Sequence, residues 1–182
     1  MEDNEVIFRC LAGEREAFGM IVNKYQSGIL SLAWSLLGNS EEARDATQEV
    51  FVQAYKNLTR FNHSRSFKNW IYAIAYKRCA DSRRKARFLK KFMQRVAQEG
   101  MPGQSDVGPE QRVEESEILS RLMKRLRLKE RLAFLLSTKE GYSAAEIADV
   151  LCCSESTARV YLFNARMKLR KLLERNKHVQ TP

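Results

Sequence analysis

The chain has 182 residues, 44% of them hydrophobic, which suits one or two small packed domains and argues against global disorder. Lys and Arg number 32 against 22 Asp and Glu, and a net charge of +10 favours a polyanionic partner, either nucleic acid or an anionic membrane surface. No apolar run reaches the ~20 residues of a membrane span. The start, Met-Glu-Asp-Asn-Glu, lacks the basic and apolar regions of a signal peptide, so the protein is expected to stay in the cytosol.

With three prolines, eight glycines and no strand-type alternation, the chain reads as all-α. A first helix is expected from about Asn4 to Leu11. A second covers Glu14 to Leu37, with Phe18, Ile21, Val22, Tyr25, Ile29, Leu32, Ala33 and Leu36 on its apolar face. Gly38-Asn39 reads as a C-terminal stop followed by an N-cap. A third helix, Ser40 to Asn57, is acidic at its start, with Glu41, Glu42, Asp45 and Glu49. A fourth, Phe67 to Arg87, carries Trp70, Ile71, Ile74 and Ala75 on one side; Ile74 is expected in the core, and Tyr72 and Tyr76 are expected to be more exposed than Trp70. The charge around this helix is lopsided. Between residues 60 and 95 twelve Lys or Arg stand against one acid, Asp81, so this stretch is expected to meet phosphates. The Gly/Pro/Ser-rich segment 99–109 reads as a flexible linker. The resulting organisation is a first domain over 1–88, a linker over 89–112 and a second domain over 113–182.

Residues 142–166 carry the most specific local signal. Ser143 and Glu146 form a Ser-x-x-Glu capping box ahead of Ile147, Val150 and Leu151, and Ser154 is placed to cap a following helix. The apolar stripe of that helix is expected to be Val160, Phe163 and Met167, with Leu162, Leu169 and Leu172; Arg159, Asn164, Arg166, Lys168, Arg170 and Lys171 lie opposite. Two short helices joined by a tight turn and followed by a basic tail make a helix-turn-helix, whose second helix presents its N-terminal residues to base edges in the major groove. Here these are Ser154, Glu155, Ser156, Thr157, Arg159 and Tyr161, with Arg166 further along. The turn falls on Cys152-Cys153, where glycine is usual; positive φ at either costs about 1 kcal/mol.

The cysteines, Cys10, Cys79, Cys152 and Cys153, form no Cys-x-x-Cys pair and lie far from His63 and His178. No metal-ligand spacing results, and they are expected to be small core residues in a reducing compartment. The chain has no nucleotide-binding Gly-rich loop and no Ser-His-Asp constellation. No catalytic residue, cofactor or small-molecule substrate is expected.

Two further stretches carry a family resemblance: Leu37–Tyr55, with Asp-Ala-Thr-Gln-Glu-Val-Phe at its centre, and Phe61–Lys85, with Trp-Ile-Tyr-Ala-Ile-Ala followed by Asp81 and Arg83-Arg84. Together with the helix-turn-helix they resemble, in order and over nearly the whole chain, a bacterial RNA polymerase sigma factor of the extracytoplasmic-function (ECF) type. The resemblance implies two helical domains. Region 2 binds the clamp helices of the polymerase β′ subunit and recognises and melts the −10 element. Region 4 binds the β-flap and reads the −35 element, and the linker runs between them through the polymerase.

On that basis Glu41, Asp45, Gln48, Glu49 and Phe51 are the candidate polymerase contacts. For −10 recognition and melting the candidates are the loop Asn62, His63, Ser64 and Arg65, then Lys68, Trp70, Tyr72, Tyr76, Lys77 and Arg84. In the family a loop here captures a flipped base, which costs a few kcal/mol that stacking and edge hydrogen bonds must offset. The resemblance also implies an anti-sigma partner, often membrane-anchored. One departure is Leu126-Arg127, where the family often has Leu-Pro, which affects how the helix from Arg131 begins. The alternative class is a stand-alone helix-turn-helix regulator not associated with polymerase. The acidic helix followed by a basic-aromatic one argues against it, since operator duplex needs no stacking face.

Overall fold

A computed structural model of the chain describes residues 2–99 and 122–179, with side chains described through 94 and 174. Within these residues it contains helices and short 3-10 turns. They are α1 (Asp3–Leu11), a turn at Arg15–Ala17, α2 (Phe18–Leu37), α3 (Ser40–Lys56), a turn at Leu58–Arg60, α4 (Phe67–Glu99), α5 (Leu128–Lys139), α6 (Ala144–Leu151) and α7 (Glu155–Val179). The linker expected at 99–109 lies outside the described residues, apart from Glu99.

Local chemistry sets most boundaries. Gly38 adopts φ 78°, a left-handed stop that its N–H closes on Trp34 O, and the Asn39 side chain then caps α3 by accepting from the N–H groups of Glu41 and Glu42. Helix α4 runs past the expected end at Arg87 to Glu99. No glycine or proline interrupts it before Gly100, and a basic composition alone does not stop a helix. Residues 89–99, assigned above to the linker, are therefore helical.

The first module buries Ile21, Tyr25, Ile29, Leu32 and Leu36 of α2 against Ala46, Val50 and Ala54 of α3 and Ile71, Ala75 and Cys79 of α4. The second buries Leu132 and Leu136 of α5, Ile147 and Val150 of α6, and Ala158, Leu162, Ala165 and Leu169 of α7. This corrects the stripe expected on α7: Val160, Phe163 and Met167 are 53, 64 and 39% exposed. The helix has apolar residues on two faces, and periodicity alone cannot choose between them. The small Ala158 and Ala165 let α5 and α6 approach the face that is used.

The modules pack against each other across α4. Tyr72 of α4 meets Tyr142 with ring centroids 5.7 Å apart. Asn69 Nδ2 donates to Asp149 Oδ2 at 3.4 Å, and Lys68 pairs with Glu140 at 3.6 Å. Arg131, 1% exposed, sends Nη1 across to the carbonyls of Ser35 and Leu36 at 3.4 and 3.3 Å. Arg83 donates to the same Leu36 carbonyl at 2.7 Å. Both cations thus sit on the negative, C-terminal end of α2. Burial, with the charge of Arg83 beside it, pulls the Arg131 guanidinium down to about 10.

Departures from ideal backbone are few, and one is informative. Cys152 sits at φ 49°, ψ 54°, the one positive-φ residue other than glycine among the described residues. It closes a Schellman turn: its N–H bonds Asp149 O at 3.3 Å, and Cys153 N–H bonds Ala148 O at 3.0 Å. Cys152 is exposed and Cys153 half-buried, so only Cys10 and Cys79 are the core residues expected of the cysteines. The Cys152→Gly variant should gain about 0.5–1 kcal/mol in chemical denaturation, because glycine meets no Cβ strain in this region.

Candidate DNA and polymerase interfaces

Three surfaces gather the candidate residues. The first is an open groove of ≈ 530 Å³ between α2 and α3, lined by Val22, Leu30, Arg44, Gln48, Phe51 and Val52 among others. Leu30 and Val52 are 37 and 46% exposed and give the groove an apolar surface open to solvent. Glu41 and Asp45 are exposed on α3 beside it. Of the candidate polymerase contacts, Gln48 and Phe51 line the groove. Glu49 turns the other way and forms an ion pair with Arg78 of α4.

The second surface lies on that other flank. A cavity of ≈ 430 Å³ is walled by Glu49, Gln53 and Asn57 from α3, Arg60, and Trp70, Ile74, Lys77, Arg78 and Asp81 from α4. Trp70 is half-buried, leaning on Phe61 and Phe67 at centroid distances of 5.2 and 5.4 Å. Ile74, expected in the core, is half-buried on this wall. The loop 62–66 that opens α4 is shaped by its own polar groups. Asn62 Oδ1 accepts from the N–H and Oγ of Ser64 at 3.0 and 2.8 Å, Arg65 N–H bonds Asn62 O at 2.9 Å, and Ser66 Oγ accepts from Asn69 N–H. Asn62 Nδ2 has no partner among the described residues and remains a donor. Arg84 is exposed and pairs with Asp81 at 3.0 Å.

Lys68, Tyr72 and Tyr76 are not on this wall. Tyr72 is 1% exposed and Tyr76 half-buried, both on the side of α4 that meets the second module, so the expected exposure of the two tyrosines is corrected. The cause is tertiary. A cavity wall and a docking face share one helix, and the tyrosines fall on the docking face. Tyr72 also approaches α2 so closely that a Cβ on Gly28 would stand 2.4 Å from its hydroxyl. Burial, Glu140 and a hydrogen bond to it push the Tyr72 phenol well above its usual range. The sequence reading gave Asn69, Asp149 and Glu140 no role and named Arg131 only as a helix start, because residues that join two modules follow no helical period.

The third surface is the helix-turn-helix. Ser143 Oγ accepts from Glu146 N–H at 3.3 Å, and the Glu146 carboxylate takes Ser143 N–H at 2.8 Å, the reciprocal box expected. At the start of α7, Ser154 Oγ accepts from Thr157 N–H at 3.3 Å and bonds the hydroxyls of Ser156 and Thr157. Glu155, Ser156 and Arg159 are exposed at this end. Glu155 Oε1 holds Arg159 through Nε and Nη2 at 3.1 and 2.6 Å, which points the guanidinium back toward the helix start. Tyr161 is half-buried with Lys129 Nζ 5.8 Å over its ring. Arg166 lies further down, lining a separate apolar groove of ≈ 430 Å³ with Leu122, Phe134, Leu169 and Leu173.

At the start of α5, where the family often has proline, the free N–H of Arg127 is taken by Glu130 Oε2 at 3.0 Å. Glu130 in turn receives Lys168 Nζ from α7 at 2.7 Å. Burial raises the Glu130 carboxyl, but the bonds from Lys168 and Arg127 outweigh it and leave the group below its usual range. The Ser143 backbone and hydroxyl do the same for Glu146.

A helical module with an open apolar groove and a cavity walled by Trp70 and charges of both signs, packed against a helix-turn-helix, has the build of a helical transcription protein. The comparisons make this specific. Residues 21–89 match the family model for Sigma-70 region 2, and residues 116–169 match Sigma-70, region 4. The chain is 30% identical over 188 residues to the RNA polymerase sigma-H factor of Pseudomonas aeruginosa, covering 95% of this chain and 94% of that protein. It is 30% identical over 174 residues to the ECF RNA polymerase sigma factor SigW of Bacillus subtilis, covering 88% and 91%. Its fold is similar to the Bartonella quintana sigma factor RpoE solved in complex with the anti-sigma factor NepR, with a TM-score of 0.65 at 19% identity over 87% of this chain and 98% of that one. The chain belongs to the ECF sigma factors, which direct transcription initiation.

Both depressed carboxyls give the second module an acid sensitivity. Their folded-state pKa values lie below the unfolded ones, so their contribution is complete above the ordinary carboxylate range and is lost as pH falls through and below it. Thermal melts of the chain should show a falling midpoint over that window. Glu130→Gln should flatten the fall while lowering the plateau at neutral pH.

Proposed function

We propose that the chain docks on core RNA polymerase through the α2–α3 groove and the acidic rim of α3, with the β′ clamp helices as the partner. The carrying observation is that groove: exposed Leu30 and Val52 beside Gln48, Phe51 and Arg44, on the helix whose first turns also expose Glu41 and Asp45. An apolar floor with a charged rim suits a polar helical partner, whose apolar residues fill the centre while its cations meet the edge. The groove of Leu122, Phe134, Leu169 and Leu173 has the same character and suits the β-flap.

Promoter reading falls to the other two surfaces. The cavity beside Trp70 takes a base extruded from the −10 element, and Asn62, His63, Ser64 and Arg65 approach its edge. Stacking on an aromatic face contributes ~1–3 kcal/mol, enough to offset most of the extrusion. Lys77 and Arg84 hold the strand's phosphates. The N-terminal end of α7, from Ser154 to Arg159, enters the major groove at the −35 element, where Arg159 suits a guanine edge. Lys68, Tyr72 and Tyr76 reach DNA only after the second module leaves α4. The protein acts by binding rather than catalysis, in the cytosol, and an anti-sigma factor that covers the polymerase-binding grooves would hold it inactive.

Gel filtration of the full chain with core polymerase, followed by promoter-directed run-off transcription, tests the reading. Val52→Arg should reduce holoenzyme assembly more than tenfold, since a cation replaces apolar surface at the groove centre. Its far-UV circular dichroism should be unchanged because the position is already exposed. Wild-type assembly by this variant would remove the groove from the account.

A further inference from the structure

Helix α1 lies outside residues 21–89, the span that matches Sigma-70 region 2, yet it touches the loop that opens α4. The Phe8 ring lies nearly flat on His63, with centroids 4.7 Å apart and planes 17° from parallel. Phe61 meets His63 edge-on at 5.4 Å, and Phe61 meets Trp70 at 5.2 Å. The four rings form an unbroken row from α1 to the wall of the cavity. Asn4 Nδ2 adds a long bond to the His63 carbonyl, 3.5 Å. The Nδ1 atom of His63 is buried and has no hydrogen-bond partner among the described residues, so packing between Phe8 and Phe61 sets the place of this ring.

Phe8 itself is held by a firm base. Val6, Ile7 and Cys10 bury the inner face of α1, and Asp3 binds Lys24 and the Tyr25 hydroxyl of α2. Phe8 is nonetheless 57% exposed, far more than a core residue. A direct DNA contact by Phe8 is disfavoured, because Asp3 and Glu5 on the same helix repel phosphate.

We propose that Phe8 is a positioning residue for promoter reading. By stacking on His63 it holds loop 62–65 where Asn62 and Ser64 face a base extruded beside Trp70. The internal bonds from Ser64 to Asn62 shape the tip of the loop. Its placement over the cavity comes from the buried Phe61 at its start and from the Phe8 clamp on His63. Truncation of Phe8 frees the His63 ring on one side and lets the loop sample positions away from the cavity. The inference rests on the promoter-reading role proposed above.

The test uses holoenzyme assembled from core polymerase and the full chain, with competition binding across promoters varied one base at a time through the −10 and −35 elements. Phe8→Ala should lose about three- to tenfold in discrimination at the one −10 position that the loop reads, the range expected for an aromatic pair. Discrimination at −35 and affinity for core polymerase should not change. Phe8→Trp should keep wild-type discrimination because it keeps the stack. Full discrimination in Phe8→Ala overturns the inference, and so does a uniform loss at every position that follows a lowered melting temperature. Asn62→Ala in the same assay separates the two levels. If it lowers −10 discrimination while Phe8→Ala does not, only the role of Phe8 falls; if neither variant changes anything, the loop does not read the promoter and both readings fall.

Discussion

Helix α4 has to satisfy three neighbours at once, and most of the structure follows from that. One face, with Ile71, Ala75 and Cys79, is buried in the core of the first module. A second face, with Lys68, Asn69 and Tyr72, is covered by the second module. The third carries Trp70, Ile74 and Lys77 into an open cavity. A helix of ordinary sequence has one apolar stripe and one solvated side. This one has apolar or aromatic groups nearly all round and a heavy load of cations. That composition lets a single helix serve as core, joint and proposed DNA-facing surface, to which its basic residues would bring affinity for phosphate without sequence preference.

The joint between modules is built largely of polar and charged groups. Arg131 is fully buried, and among the described residues no carboxylate lies beside it and its Nε and Nη2 have no partner. Its compensation is the pair of carbonyls at the end of α2, one of them shared with Arg83. Burial of a guanidinium on these terms is expensive compared with apolar contact. Beside the buried Tyr72–Tyr142 pair, the polar contacts from Lys68 to Glu140 and Asn69 to Asp149 are ones that water replaces readily. Such an interface suits modules that part when a better partner is offered, as the proposed reading of −10 and −35 elements on one promoter would require.

Much of this was legible in the sequence because the signals were local. Asn39 after Gly38, the Ser143–Glu146 box and the Ser154 cap each place a helix end through neighbours three or four residues away. The turn at Cys152-Cys153 was legible for the same reason, while the left-handed backbone at Cys152 comes from the structure. What escaped was decided by contacts distant in sequence. Tyr72 and Tyr76 read as exposed until the second module covers them. Ile74 reads as core until the cavity opens beside it. Helix α7 offers two apolar faces, and only the tertiary fit selects Ala158, Leu162, Ala165 and Leu169. Phe8 gave no signal, since a phenylalanine on an amphipathic helix reads as core. The end of α4 differs for another reason: residues 88–99 read as a basic stretch beside the linker, yet without Gly or Pro such a stretch keeps its helix propensity.

The central claim is that the open face of α4 meets DNA whose strands have separated. Its most direct test is the affinity of holoenzyme for a forked promoter with an unpaired −10 non-template strand, compared with a duplex that carries only the −35 element. The account predicts that Trp70→Ala with Lys77→Ala weakens binding to the fork about tenfold or more and leaves the −35 duplex unaffected. Equal binding of the fork by wild type and variant would contradict it.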